Sequence, residues 1–366
     1  MKRAKVLGAG LAVSVLLTAA GAAFAQTVSI GAILPLTGAS ASVGEDQRRG
    51  AELAVEQVNA HGGVLGGKLK VIVEDSGGSA PTALSAARKL VSVNKVPVVL
   101  GEFSSGITIP IAQYVVQQGD VHLNIGSSSP QIRKIGDGSF SVIGLDDLSA
   151  RFAADDLYAQ NLRNVAFIAP NNSYGQGVAP EFKKRFESLG GKVTSIVMYT
   201  EGQSTYRREL QQMSKTQPQA YVYSAYGQEA ATINREAYEL GLNKAKWYGI
   251  YLTMCTSDTV AQAAHGQEGL EVASIGDAGK SYQQAYQQKY KEAPKSAFGA
   301  YVYDGVMVAA SAINKAGAAD PAKIRAALHQ MGNYQGATGT IAFDAEGQRK
   351  EQPYDKVKFE TTVVAR

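Results

Sequence analysis

The amino-acid sequence predicts an α/β protein made of two doubly wound parallel-sheet lobes joined by short crossovers. Short β-rich runs alternate with helical stretches from Gln26 onward. The runs are continuously apolar instead of alternating, as strands covered on both faces must be. The same grammar then restarts after Asp146. With 45% hydrophobic residues in 366 positions the chain can bury two cores. No low-complexity linker separates the halves, so crossovers are expected in place of a tether.

In the first set, VSIGAILPL (28–36), LKVIVEDS (69–76), VPVVLGEF (96–103) and VHLNIGSS (121–128) read as strands. QRRGAELAVEQVNAHGG (47–63), PTALSAARKLVSVNK (81–95) and GITIPIAQYVVQQG (106–119) read as the helices between them. Pro81 suits a helix start and the Gly62-Gly63 pair a helix end. The second set places helices over 148–162, 175–191, 206–217 and 228–242, and strands over 164–170, 192–200, 220–226 and 246–252. Helices over 281–293, 297–317 and 320–332 follow, then one hairpin-like stretch, TGTIAFDAEGQRKEQPYDKVKFETTVV (338–364). The expected division is 26–145 plus 276–350 for one lobe and 146–275 plus 351–366 for the other.

The first 25 residues read as a secretory signal peptide: Lys2, Arg3 and Lys5, an uncharged run from Val6 to Ala20, and Ala23-Phe24-Ala25 before Gln26. Removing it takes three of the 36 basic residues and none of the 32 acidic ones, leaving a net charge of +1. No charge run suggests nucleic acid or a membrane surface. Cys255 is the only cysteine, so no intramolecular disulfide is expected.

In open parallel sheets ligands bind beyond the carboxyl ends of strands. The turns at those places are GEFSSG (101–106), NIGSSSP (124–130), APNNSYGQG (169–177), SAYGQE (224–229) and GIYLTMCTSD (249–258). The first two carry hydroxyls and glycine, suited to receiving a carboxylate through charge-assisted hydrogen bonds. The other three contribute tyrosines. A small anionic or zwitterionic molecule clamped between lobes fits this division.

Catalysis has little support. A nucleophile elbow needs glycine two residues before and after its serine. Ser104 has Glu102 before it, and Ser105 has Phe103. His61, His122, His265 and His329 stand alone, with no metal-ligand spacing, and no cofactor motif follows a strand. We therefore expect a binding protein without cofactor or metal. Each candidate also has a plainer role: Ser105 as a helix cap, Ser128 as a turn serine, Tyr174 and Tyr226 as half-buried loop aromatics, Phe298 as the start of an apolar helix stripe.

Four stretches carry a resemblance: ILPLTGASASVGEDQRRGAELAVEQVNAHGGVLGGKLKVIVEDS, GEFSSG, SYGQGVAPEFKKRFESLGGKV and AFGAYVYDGVMVA. They resemble the periplasmic solute-binding proteins of branched-chain amino acid ABC transporters, the leucine/isoleucine/valine-binding type. The likeness implies the type I periplasmic binding protein fold, hinge closure over a ligand, a periplasmic location, a monomer, and an inner-membrane permease as partner. It also implies roles. Ser105 would hold the ligand α-carboxylate. Gly126 and Ser128 would take the α-ammonium through a carbonyl and a hydroxyl, with an N–H turned to the carboxylate. Tyr174 and Tyr226 would close from the second lobe, and Phe298 would stand near the side-chain pocket. At the family's acidic ammonium-binding position this sequence has Tyr251. Either Glu102, Glu229 or Asp258 takes that part, or the ligand is an aromatic or other carboxylic acid without an amine.

Overall fold

The computed structural model describes residues 27–272 and 276–366; the expected signal peptide lies outside them. Elements are numbered in chain order. Strands β1 (Val28–Leu34), β2 (Leu69–Asp75), β3 (Val98–Gly101), β4 (Val121–Asn124) and β5 (Ser139–Ser141) form a parallel sheet in the order β2-β1-β3-β4-β5. Ile30, Ala32 and Leu34 of β1 pack with residues of α1 (Ala41–Ala60) and α11 (Phe298–Ala316). Ile33, pointing the other way, packs with α2 (Ala80–Arg88) and α3 (Ser105–Gln117). Strand side chains alternate between faces, so a sheet buried twice needs the unbroken apolar run. Each isoleucine or leucine so withdrawn from water contributes about 1.5–3 kcal/mol.

The second sheet runs β14-β13-β10-β9-β8-β6-β7. β6 (Asn164–Pro170), β7 (Lys192–Tyr199), β8 (Ala220–Tyr223), β9 (Lys246–Ile250) and β10 (Glu268–Val272) are parallel. β13 (Tyr354–Phe359) and β14 (Val363–Ala365) add an antiparallel edge. The helices of this half include α4 (Asp146–Ala159), α5 (Gly175–Ser188), α7 (Gly227–Glu239) and the short α8 (Leu252–Thr256). The α/β class with two wound lobes is what the sequence predicts, and the antiparallel edge is an addition to it.

The hairpin-like stretch over 338–364 is divided: only its last part, β13 with β14, folds as a hairpin. β12 (Gly339–Ile341) pairs instead with β11 (Tyr334–Gly336), while β13 joins the second sheet. Between them the buried Arg349 guanidinium donates to the carbonyls of Val142, Thr338 and Thr340 at 2.7–2.9 Å. That ties the return crossover to the outgoing one. The strand expected over 246–252 stops at Ile250, because Tyr251 adopts a left-handed φ of 61°. α1 starts six residues earlier than its charged stretch suggested. Gly44 there lies so close to Pro35 that an added Cβ would meet its carbonyl at 2.1 Å.

Candidate ligand-binding site

β3 ends at Gly101 and α3 begins at Ser105, so GEFSSG forms the turn between them. The first N–H groups of a helix have no intrahelical partner and mark its positive end. Ser105 sits there, buried, and its Oγ accepts a hydrogen bond from Ser127 Oγ at 2.8 Å. Glu102 braces the turn from below. Its carboxylate accepts from Ser76 Oγ and from the Ser104 N–H, both at 2.6 Å, and Thr108 Oγ1 donates to its carbonyl at 2.9 Å. Burial pushes the Glu102 pKa up to about 7 against these hydrogen bonds.

Asn124 at the end of β4 organises the second turn. Its Oδ1 accepts the N–H groups of Gly126 at 3.3 Å and Ser127 at 2.9 Å, and its Nδ2 donates to the Ser127 carbonyl at 2.6 Å. The Gly126 amide is therefore committed to Asn124, leaving its carbonyl as the group a ligand can meet. A Cβ on Gly126 would stand 2.8 Å from the Phe103 Cα. Only glycine lets the two turns lie against each other.

From the other lobe come three tyrosines. The hydroxyls of Tyr174 and Ser224 hydrogen-bond each other. Asn172 Oδ1 accepts the Tyr174 N–H at 3.0 Å, and its Nδ2 donates to the Tyr226 hydroxyl at 2.7 Å. The Tyr226 hydroxyl donates in turn to Glu201 at 2.7 Å. Tyr251 is 3.2 Å from Tyr354, hydroxyl to hydroxyl. Burial, reinforced by Asp146, Glu201 and Tyr354 respectively, raises all three phenols well above their ordinary range. They stay neutral donors.

These parts converge. Ser105, Gly126, Ser128, Tyr174, Tyr226, Tyr251 and Phe298 all line one small cavity between the lobes, of about 20 Å³. Phe103, Ser104 and Met254 complete its wall and were missed in the sequence. The rings touch across it: Phe103 meets Phe298 edge to face at 4.8 Å and Tyr226 at 5.4 Å. None of the acids proposed to replace the family's carboxylate lies on that wall. Glu102 braces the serine turn, Glu229 accepts the Gly202 N–H at the cleft mouth, and Asp258 is exposed elsewhere.

A fourth acid, also off the cavity wall, lies directly behind Ser128. Asp146 opens α4 and is fully buried; its N–H donates to the Ser128 carbonyl at 2.7 Å. Ser149 Oγ donates to Oδ1 at 3.3 Å, whereas Oδ2 receives no hydrogen bond. Burial drives its pKa well up, and the nearby hydroxyls of Ser128 and Ser149 only partly oppose this. An unpartnered buried carboxyl is costly. In the sequence Asp146 marked only the point after which the strand–helix alternation restarts.

The protein family described as periplasmic binding protein matches residues 27–362. The chain belongs to that family. A Leu/Ile/Val-binding protein homolog of Brucella suis is 27% identical over 361 residues, covering 97% of this chain and 96% of its own. An amino acid binding protein of Pseudomonas aeruginosa is 30% identical over 360 residues, covering 94% and 93%. Two solved binding proteins share the fold. A leucine binding protein of Thermotoga maritima has a TM-score of 0.84 at 23% identity, covering 93% of this chain and 97% of its own. A solute-binding protein of R. palustris in complex with benzoate has 0.82 at 18%, covering 93% and 95%. This periplasmic binding protein is thus a substrate-binding protein of the ABC-transporter type. Its relatives are binding proteins, not enzymes.

Proposed function

We propose that this periplasmic binding protein captures a small apolar α-amino acid of the branched-chain kind and presents it to an inner-membrane permease. The lobes, 26–145 plus 276–350 and 146–275 plus 351–366, close about their crossovers as the ligand binds. The ligand carboxylate lies at the α3 start against the Ser105 hydroxyl. Its ammonium lies against the Gly126 carbonyl and the Ser128 hydroxyl, and its side chain is held by Phe103, Tyr226, Tyr251 and Phe298. Closure removes water, which strengthens the charged hydrogen bonds.

The observation that carries this reading is Asp146. Its buried Oδ2 lacks a partner beside the turn that would face an ammonium. A cation within about 4–6 Å favours the ionised carboxyl. Ligand binding would then release the proton that burial holds there. A deaminated aromatic acid is the second reading, favoured by the ring-lined wall; it leaves Oδ2 unsatisfied, so we place it second. Thermal denaturation of refolded, ligand-free protein tests the choice, since a ligand of the folded state raises Tm. Leucine should raise it, benzoate should not, and Asp146→Asn should remove most of the leucine effect. A rise with benzoate alone would overturn the amino-acid reading.

A further inference from the structure

Beside this small cavity lies a second, roomier chamber, about 300 Å³ against about 20 Å³ for the inner one. Phe103, Ser104 and Tyr226 line both. The edge-to-face contact of Phe103 with Tyr226, centroids 5.4 Å apart, is the lobe-to-lobe partition between the two spaces. Phe103 is also held from behind by Phe298 at 4.8 Å. Tyr226 is fixed by hydrogen bonds to Asn172 and Glu201, both 2.7 Å. Of the two rings, Phe103 has no polar tether, so it is the one whose identity sets the division.

The chamber beyond is acidic. Glu102, Glu201 and Glu229 line it, with Gly77, Gly78 and Ile107 among its other walls and no basic side chain among the described residues there. Glu229 Oε1 accepts the Gly202 N–H at 2.7 Å, while Oε2 is buried with only the Tyr199 hydroxyl beside it. Burial and the neighbouring Glu201 charge raise the Glu229 pKa, so this carboxyl gains from any cation that reaches it.

We propose that Phe103 is the specificity-determining residue for ligand length: it closes the inner cavity to compact ligands, and without its ring the chain admits longer carboxylates whose far end is cationic. The proposal rests on the inner cavity being the carboxylate site. A ligand anchored at Ser105 and too long for the inner space runs past position 103 into the outer chamber. There a positive end meets Glu201 and Glu229, a neutral end gains little, and a negative end is repelled.

Isothermal titration of the refolded protein and its Phe103→Ala variant with leucine, lysine and 2-aminoadipate tests this. Leucine affinity should fall at least tenfold in the variant through the lost ring contacts. Lysine should bind at least tenfold tighter to the variant than to wild type, and 2-aminoadipate should gain nothing. 6-Aminohexanoate against adipate repeats the comparison without an α-ammonium, so the role of Phe103 is tested equally if the protein takes plain acids. Phe103→Leu, which keeps the core filled, should move each affinity the same way by less and serves if the alanine variant does not fold. Equal gains for the cationic and anionic ligands, or no gain for either, would overturn the proposal. Failure of wild type to bind leucine would instead remove the amino-acid reading and leave the partition to stand or fall on the 6-aminohexanoate result.

Discussion

At the scale of single residues, two side chains in GEFSSG do different work although they are three positions apart. Ser105 faces the cavity, and its hydroxyl is already oriented by Ser127. Ser105→Ala should weaken carboxylate binding by about 1.5–3 kcal/mol, the usual size of a hydrogen bond to a charged group; calorimetry showing unchanged affinity would remove Ser105 from the site. Glu102 faces inward, with a pKa raised from 4.5 to about 7. Between those values the folded chain holds a proton that the unfolded chain has released. The contribution of Glu102 to stability is therefore greatest below about pH 4.5 and falls as pH rises towards about 7, by about 1.4 kcal/mol for each pH step of one across that window. Glu102→Gln should flatten that part of the Tm against pH curve; an unchanged slope would mean the proton is held elsewhere. The sequence showed which hydroxyls stand at the strand ends. Only the family resemblance singled out Ser105 from Ser104, and nothing separated Glu102 as brace from Glu102 as ligand partner, because those roles depend on Ser76 and Ser127 arriving from distant segments.

At the scale of elements, the site is two strand-to-helix turns held rigid by the sheet behind them. Asn124 is the pin of the second turn, through four hydrogen bonds to Gly126, Ser127 and Ser141. Asn124→Ala strands buried backbone groups, and each costs about 1–3 kcal/mol. We expect a Tm several degrees lower together with weaker ligand binding; a variant with native Tm and affinity would show the turn to be self-supporting. Strands and helices with both faces covered were legible from their unbroken apolar runs. The short β5 and β10 were not, since their sequences, SFS and EGLEV, are polar and gain their pairing from neighbours. Of the hairpin-like tail only β13 with β14 is a hairpin; alternation alone does not reveal that Arg349 anchors its middle to the crossovers.

At the scale of the whole molecule, function depends on the lobes meeting. Lobe-one residues Val43, Phe103 and Phe298 join the second lobe's apolar cluster, so the conformation is closed. Gly227, at φ +58°, marks the contact: a Cβ there would stand 2.3 Å from the Ala39 carbonyl oxygen across the cleft. Gly227→Ala should hold the lobes apart, and small-angle scattering should show the variant failing to contract with ligand where wild type does. Contraction in the variant would place the limiting contact elsewhere. Asp146, Phe103 and Met254 were illegible for the same reason: their surroundings are assembled only when both lobes and the crossovers are in place. The central claim is that a buried carboxyl behind Ser128 makes this an amino-acid site although Tyr251 has replaced the expected acid. Titration calorimetry of refolded, ligand-free protein with leucine and with 4-methylpentanoate, which differ only by the ammonium, tests it most directly. Leucine should bind at least a hundredfold tighter; equal or tighter binding of 4-methylpentanoate would contradict the account.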